Sequence, residues 1–502
     1  MSRRNSNTTV DNNVSTKVAS SGLKAFILSR ILFAPPVEND PRLLRARKKS
    51  TILLCLAILV STGGLSSTIY FPALPQIETD FNSTPILATL TAAMFILFMG
   101  IAPIFWAAFS DHYKIRRLPN MLSMVVFTFS SLGAVFVTNI GGLIALRCIQ
   151  SIGSSCVQAV GAGVIADIYP LEQRGAAFGK FFLALFIGPL LGPILGGFLV
   201  MSDASWKATF WFTFAYGIAI IIFCFIFLDE TYRDNAKFDL QLPMQNTRES
   251  DTLSTTGTVL SESPSPKSAE VLENVPVKPK RINPIAPLFL LRHPFIFMPS
   301  FCGAVAFGGM FAVETMIPIV YTENYGFPAW KTGLSYLGAG VGNVLGTVMS
   351  SYISDRAVLR AREKRGGREV VEDRLTPNLW IAGFLFMPLG LLLFGWMAER
   401  NMSVWACIIG FGCQSFGMNQ IMSATAAYIV DALPGQGASA SAAANMMRMV
   451  MACILTIIVS PMMDSIGTGW TTVFLAGLSW FSMIILVIVV IYGERLRKWS
   501  GF

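Results

Sequence analysis

Charge is what this sequence has least of. Of 502 residues only 13% are Asp, Glu, Lys or Arg, against about 25% in soluble domains, while 53% are hydrophobic and the mean hydropathy is +0.58. A soluble fold is excluded. Histidine is nearly absent, with His112 and His293 alone, and the eight cysteines (Cys55, Cys148, Cys156, Cys224, Cys302, Cys407, Cys413, Cys453) all fall inside apolar runs. No Cys/His metal spacing, phosphate-cradling glycine loop or nucleophile arrangement occurs, so ATP hydrolysis and membrane metalloenzyme chemistry lack the residues they need. We expect no cofactor, no metal and no enzyme. Thiols in apolar segments behave as small hydrophobes, so no disulfide is expected. No charged-then-apolar leader with a small-residue cleavage site opens the chain, which leaves insertion to the first apolar run.

What the sequence has is apolar length. Twelve runs of the size that crosses a hydrocarbon core of about 30 Å lie near residues 51–73, 85–109, 119–138, 142–168, 175–200, 207–228, 295–321, 329–353, 377–398, 403–429, 437–460 and 470–492. None alternates with period two, so a barrel is excluded and the class is all-α membrane protein. With the N-terminus in the cytosol, 33 of the 38 Lys and Arg residues fall on the cytosolic side, Lys207, Lys331 and Arg400 outside, and Arg147 and Arg448 within spans. Both termini are therefore expected inside. That asymmetry accounts for the net charge of +9 without a nucleic-acid partner, and Arg45, Arg47, Lys48 and Lys49 are placed to touch anionic lipid.

The organisation read from composition is a disordered cytosolic tail (1–50), a six-helix bundle (51–228), a largely disordered cytosolic linker (229–293), a second six-helix bundle (294–492) and a short tail (493–502). The linker is rich in Ser, Thr, Pro and Glu, with Ser263 and Ser265 each before a proline, a composition that cannot offset ordering entropy. The two bundles repeat one another. "SDHYKIRR" after span 2 and "SDRAVLRAREKR" after span 8 put Asp111 and Asp355 five residues before Arg116 and Arg360, and Ile165-Ala-Asp167-Ile-Tyr-Pro170 matches Ile429-Val-Asp431-Ala-Leu-Pro434. A parallel six-plus-six duplication explains both matches and is the design of transporters whose site lies between two rocking halves.

Span 5 reads Gly188-Pro-Leu-Leu-Gly192-Pro193-Ile-Leu-Gly196-Gly197, and span 8 carries Gly338, Gly342 and Gly346 at the same step of four. Each makes a smooth face fit for close helix packing, and we expect the two to meet across the boundary between halves.

On these residues the chain resembles the major facilitator superfamily over about residues 50–495, and within it the fungal twelve-span drug:proton antiporters. Span 5 resembles the antiporter signature g-x-x-x-G-P-x-x-G-G at every fixed position. "LRCIQSIG" is similar to R-x-x-q-G-x-g through Arg147, Gln150 and Gly153, with Ser151 in place of a glycine, and "LDETYR" (228–233) and "EDRL" (372–375) look like fungal members. The loop motif g-x-l-x-D-r-x-G-r-r is matched less well: Ala107, His112 and Lys114 replace fixed residues while Asp111 and Arg116 are kept. The resemblance implies a major facilitator fold of two pseudo-symmetric bundles, a cytosolic gating ion pair from Asp111 and Arg116, and proton coupling through Arg147.

Charged groups inside spans mark pathways. Arg147 shares a helical face with Gln150, Ser154 and Gln158. Glu314 is the only acid well inside any span, and a carboxyl among Phe311, Met316 and Ile317 suits a carrier that loads and releases one proton per cycle, the alternative being a hydrated group near the external end. Arg448 lies mid-span beside Asn445. Tyr70, Gln150, Gln158, Tyr336, Asn343, Gln414, Asn419 and Arg448, with Ser66, Ser423, Tyr428, Phe182, Phe186, Met310 and Phe311, are expected to line a broad, partly apolar pocket. Asn82 and Asn401 head sequons in external loops and can carry glycans, though sequons at Asn7 and Asn13 in the cytosolic tail weaken the pattern.

The expectation is a monomeric, proton-coupled antiporter that exports small organic compounds (drugs, weak organic acids or secondary metabolites) through the plasma membrane, with the vacuolar membrane as the other site. Two alternatives share the fold: a dedicated exporter of one acid or metabolite, and a non-transporting nutrient sensor. Passive facilitation is a third.

Overall fold

The computed structural model describes residues 40–233, 286–364, 370–375, 377–433 and 437–501. The Ser263–Ser265 segment and the sequons at Asn7 and Asn13 lie outside the described residues, as do the side chains of Phe182, Phe186 and Asp355.

Six long helices precede the linker: α1 (Ala46–Thr68), α2 (Pro85–Tyr113), α3 (Arg117–Val135), α4 (Ile140–Ile168), α5 (Leu171–Leu199) and α6 (Lys207–Phe227). Six follow: α7 (Pro294–Glu323), α8 (Leu337–Lys364, after a short helix Ala329–Ser335), α9 (Met387–Glu399, entered through Pro377–Ile381 and a π-helical turn Ala382–Phe386), α10 (Val404–Ala432), and α11 and α12, the two limbs of Gly437–Trp499. The limbs span 437–466 and 468–499. Instead of the expected polar loop near 461–469, one residue makes the turn. Gly467 sits at φ 81°, a left-handed conformation that only glycine takes cheaply, and the Glu399 carboxylate accepts from Thr468 N at 2.7 Å and Gly469 N at 3.2 Å. The start of α12 is thus capped from α9.

Among the described residues nine helices are long and apolar enough to cross a membrane, the last being the folded-back pair. The two other long helices, α8 and α10, carry the polar residues Asn343, Gln414, Asn419 and Gln420.

Packing reproduces the repeat. In one half α1 packs on α5, α2 and α3 on α4, and α3 on α6; in the other α7 packs on α11, α8 and α9 on α10, and α9 on α12. The halves join where α2 meets α11 and where α5 meets α8 with its preceding short helix. Helices α1 and α7 are the most enclosed apolar spans, each with 78% of its central window buried.

The glycine faces do other work than expected. A Cβ at Gly188, Gly192 or Gly196 would strike α1 at Ser61, at Leu65 and Thr68, or at Ile69, and a Cβ at Gly338, Gly342 or Gly346 would strike α10 at Ile408, Gly412 or Phe416 and Asn419. The two faces therefore do not meet: each draws a helix pair together within its own half. Close approaches across the boundary include Gly197 against Ala329, Gly333 against Pro193, Gly340 against Leu190 and Gly100 against Met449.

Internal prolines leave a carbonyl four residues back without its N–H partner. For Pro193 that carbonyl is on Pro189, and Thr68 Oγ1 donates to it at 3.2 Å. For Pro318 it is on Glu314, and Tyr336 Oη donates to it at 2.6 Å. The Phe384 carbonyl, four before Pro388, accepts from Trp480 Nε1 at 3.0 Å. In a membrane such freed groups are satisfied from other helices, as at these three.

Candidate functional site

In the first half the site is built around Arg147, which α4 carries inward and which is 1% exposed. Asn139 caps the start of that helix, its Oδ1 accepting from Gly142 N at 2.6 Å. The Arg147 guanidinium donates to the Ser66 carbonyl at 3.2 Å and to Gln150 Oε1 at 2.8 Å. Its carbon lies 4.2 Å from the ring centre of Phe95, 4.5 Å from Tyr70 and 6.0 Å from Phe210. Gln150 donates onward to Ser131 Oγ at 2.7 Å, and Thr91 donates to Tyr70 Oη at 2.9 Å. The charge is thus held by ring faces and neutral oxygens. Among the described residues it has no carboxylate partner, and Arg147 Nε and Nη2 have no acceptor. Gln158, three turns past Arg147 along α4, lies by Gly63 of α1.

In the second half Glu314 is 4% exposed, on the most enclosed stretch of α7. Tyr336 braces its main chain at the Pro318 kink, while Glu314 Oε2 has no partner among the described residues. Glu314 is thus enclosed by protein. Arg147 and Glu314 are linked through rings: Tyr70 covers the arginine, the next residue Phe71 lies 6.3 Å from Phe311, and Phe311 is one turn before Glu314. The buried amide of Gln414 also faces α7, at Gly309.

Other expected pocket residues separate from this centre. Asn419 donates to Asn343 Oδ1 at 2.9 Å and accepts from Thr347 at 3.1 Å, a tie between α10 and α8. Tyr428 is fully buried, with its hydroxyl 3.4 Å from Arg497, which also binds Glu372, toward the bundle end that bears Ala46 and Trp499. Arg448 stands apart beside Ser300, Thr425 and Ser441 at a small pocket.

At that same end, Arg116 donates to Asp111 at 2.7 Å, to Asp167 at 2.9 Å and to Ser110 Oγ at 3.0 Å, with Tyr232 stacked 5.2 Å away. Burial works against the Arg116 charge, but Asp167 and Asp111 outweigh it and hold the proton more firmly than usual. The Asp111–Arg116 pair is present as expected, with Asp167 as a further partner. Glu230 of "LDETYR" accepts from Arg116 N at 2.8 Å and Arg117 N at 3.1 Å, capping α3. Arg233 pairs with Asp40 at 3.1 Å; burial raises that carboxyl, but Arg233 and the Arg42 amide prevail and hold it below its ordinary value. In the second half Asp431 pairs with Arg374 at 2.6 Å, and Arg360 is exposed. The Asp355 side chain lies outside the described residues.

Sequence reading did not identify the rings of Phe95 and Phe210 around Arg147 or the brace from Tyr336 to Glu314. Pro318 signals the second, since it frees the carbonyl at Glu314. Nothing local signals the first.

The description of the Major Facilitator Superfamily matches residues 56–456. The MFS-type transporter tndD of Aspergillus flavipes is 30% identical over 86% of this chain and 79% of its own length, and the MFS antiporter QDR3 of Candida albicans is 25% identical over 94% and 82%. The partially occluded inward-open structure of the xylose transporter XylE from E. coli shares the fold at a TM-score of 0.61 and 14% identity, over 88% of this chain and 97% of that one. With twelve long helices in two like halves among the described residues, and with the family model and the relatives matching most of its length, this chain belongs to the major facilitator superfamily and is a multi-pass membrane transporter of small molecules, not an enzyme.

Proposed function

We propose that the protein is a proton-driven exporter of small organic compounds that works by alternating access in the plasma membrane, with both termini in the cytosol. The observation that carries the reading is Glu314: a carboxyl enclosed in α7, with one oxygen unpartnered, beside the aromatic contact between the halves. A buried acid without a permanent counter-charge can be loaded and emptied as its surroundings change. The similarity to a relative named as an antiporter supports the same reading.

The contacts between halves favour a cytosol-open state. Thr89 and Ser460 hydroxyls meet at 3.0 Å, Phe71 meets Phe311, and Phe198 stacks on Trp330 at 6.2 Å, all from mid-bundle to the outer end. In that state a cytosolic substrate enters while Glu314 gives up its proton. Rocking then closes the cytosolic end, the substrate leaves outside, and Glu314 takes a proton there. Arg147 sets the charge of the cavity across the ring layer. Asn82 and Asn401, both exposed at left-handed turns on the outer face, are the acceptors for glycans.

Purified protein in liposomes tests the reading. An imposed proton gradient should drive accumulation of a probe from a panel of amphiphilic drugs, by about tenfold per pH unit at one proton per substrate, and Glu314→Gln should remove that drive. Uptake indifferent to the gradient would make the protein a facilitator.

A further inference from the structure

We infer that the cavity at Arg448 is an anion-binding end of the substrate site, so that a preferred class of cargo is the organic monocarboxylate; this rests on the exporter reading above. Arg448 projects from α11 into a small pocket lined also by Ser300, Gly303, Thr425, Ser441 and Ala444. Its Nη2 donates to Asn445 Oδ1 at 3.0 Å, and its Nη1 meets only the Met422 sulfur at 3.7 Å, a weak acceptor. Among the described residues it has no carboxylate partner. A guanidinium offers five donors in a planar fork matched to a carboxylate, and an unpaired charge within the bilayer is costly. A substrate anion supplies the missing counter-charge.

The neighbours define how many charges fit. Ser300 and Thr425 spend their hydroxyl protons on the Ile296 and Ile421 carbonyls, each at 2.7 Å. They present lone pairs and not donors, which leaves the Arg448 guanidinium as the one charged donor of the pocket, with the Ser441 hydroxyl beside it, and suits a single negative group. Gly303 keeps the space open, since a Cβ there would lie 3.3 Å from Thr425 Oγ1. The next residue, Met449, packs against Gly100 of α2. Neutralising Arg448 is therefore felt beside the boundary on which the halves move.

The test is binding to the full-length purified protein of benzoate, phenylacetate and cinnamate, each against its neutral carboxamide, read as the ratio of the two dissociation constants. Wild type should favour the carboxylate by about tenfold or more. Arg448→Gln should bring the ratio to about one, and Arg448→Lys should restore part of it. Gly303→Val, which fills the cavity and leaves the charge, should weaken the carboxylates. A wild-type ratio near one, or a preference that survives Arg448→Gln, would overturn the inference. Gradient-driven uptake of carboxamides without carboxylate preference would sink the anion site and leave the exporter reading intact. An Arg448-dependent carboxylate preference in a protein that transports neither class would do the reverse.

Discussion

Arg147 and Glu314 are the residues whose burial has to be explained, and the explanations differ. The arginine is stabilised by three rings at 4.2–6.0 Å, each contact worth about 0.5–2 kcal/mol, so its charge persists without an acid beside it. The glutamate has no such support, and its one firm tie runs through the backbone: Tyr336 Oη holds the carbonyl that Pro318 sets free. Tyr336→Phe should leave that carbonyl unsatisfied at a cost of about 1–3 kcal/mol, seen as a lowered melting temperature of the purified protein. An unchanged melting temperature would show that the Pro318 kink does not depend on Tyr336. Both charges were legible in the sequence because a charged residue in an apolar run is conspicuous. Their surroundings were not, since Phe95, Phe210 and Tyr70 come from three other parts of the chain.

At the scale of helices, period and length revealed the crossings, and glycines at steps of four revealed that α5 and α8 approach a neighbour closely. The identity of that neighbour was not legible, because a small-residue face states a need for proximity and names no partner. The faces turn to α1 and α10, which makes them parts of rigid halves and not of the moving joint. Gly192→Leu and Gly342→Leu should each destabilise the fold by about 1–3 kcal/mol through overpacking. A melting temperature unchanged in both, with transport altered, would return these faces to the boundary. The turn at Gly467 escaped notice for a related reason: its cap, Glu399, belongs to another helix. The Asp40–Arg233 tie joins residues 193 positions apart and has no local signature.

For the molecule as a whole, the repeat in the sequence became a repeat in packing, with α1 and α7 as the enclosed pair and α2–α11 and α5–α8 as the joint. Rocking on that joint requires the outer contacts to part. Thr89→Cys with Ser460→Cys, at the site where the two hydroxyls now meet at 3.0 Å, should form a cross-link that arrests transport, and reduction should restore it; transport undiminished by the cross-link would exclude opening at that end. The central claim is that cargo and proton move in opposite directions through one site. It is tested most directly with liposomes loaded with a non-ionisable amphiphilic probe and a lumenal pH dye, starting with no pH gradient. Probe leaving down its own gradient should acidify the lumen of wild-type vesicles, and in Glu314→Gln vesicles it should leave the lumenal pH unchanged. Probe efflux through the wild-type protein with no movement of protons would contradict the account.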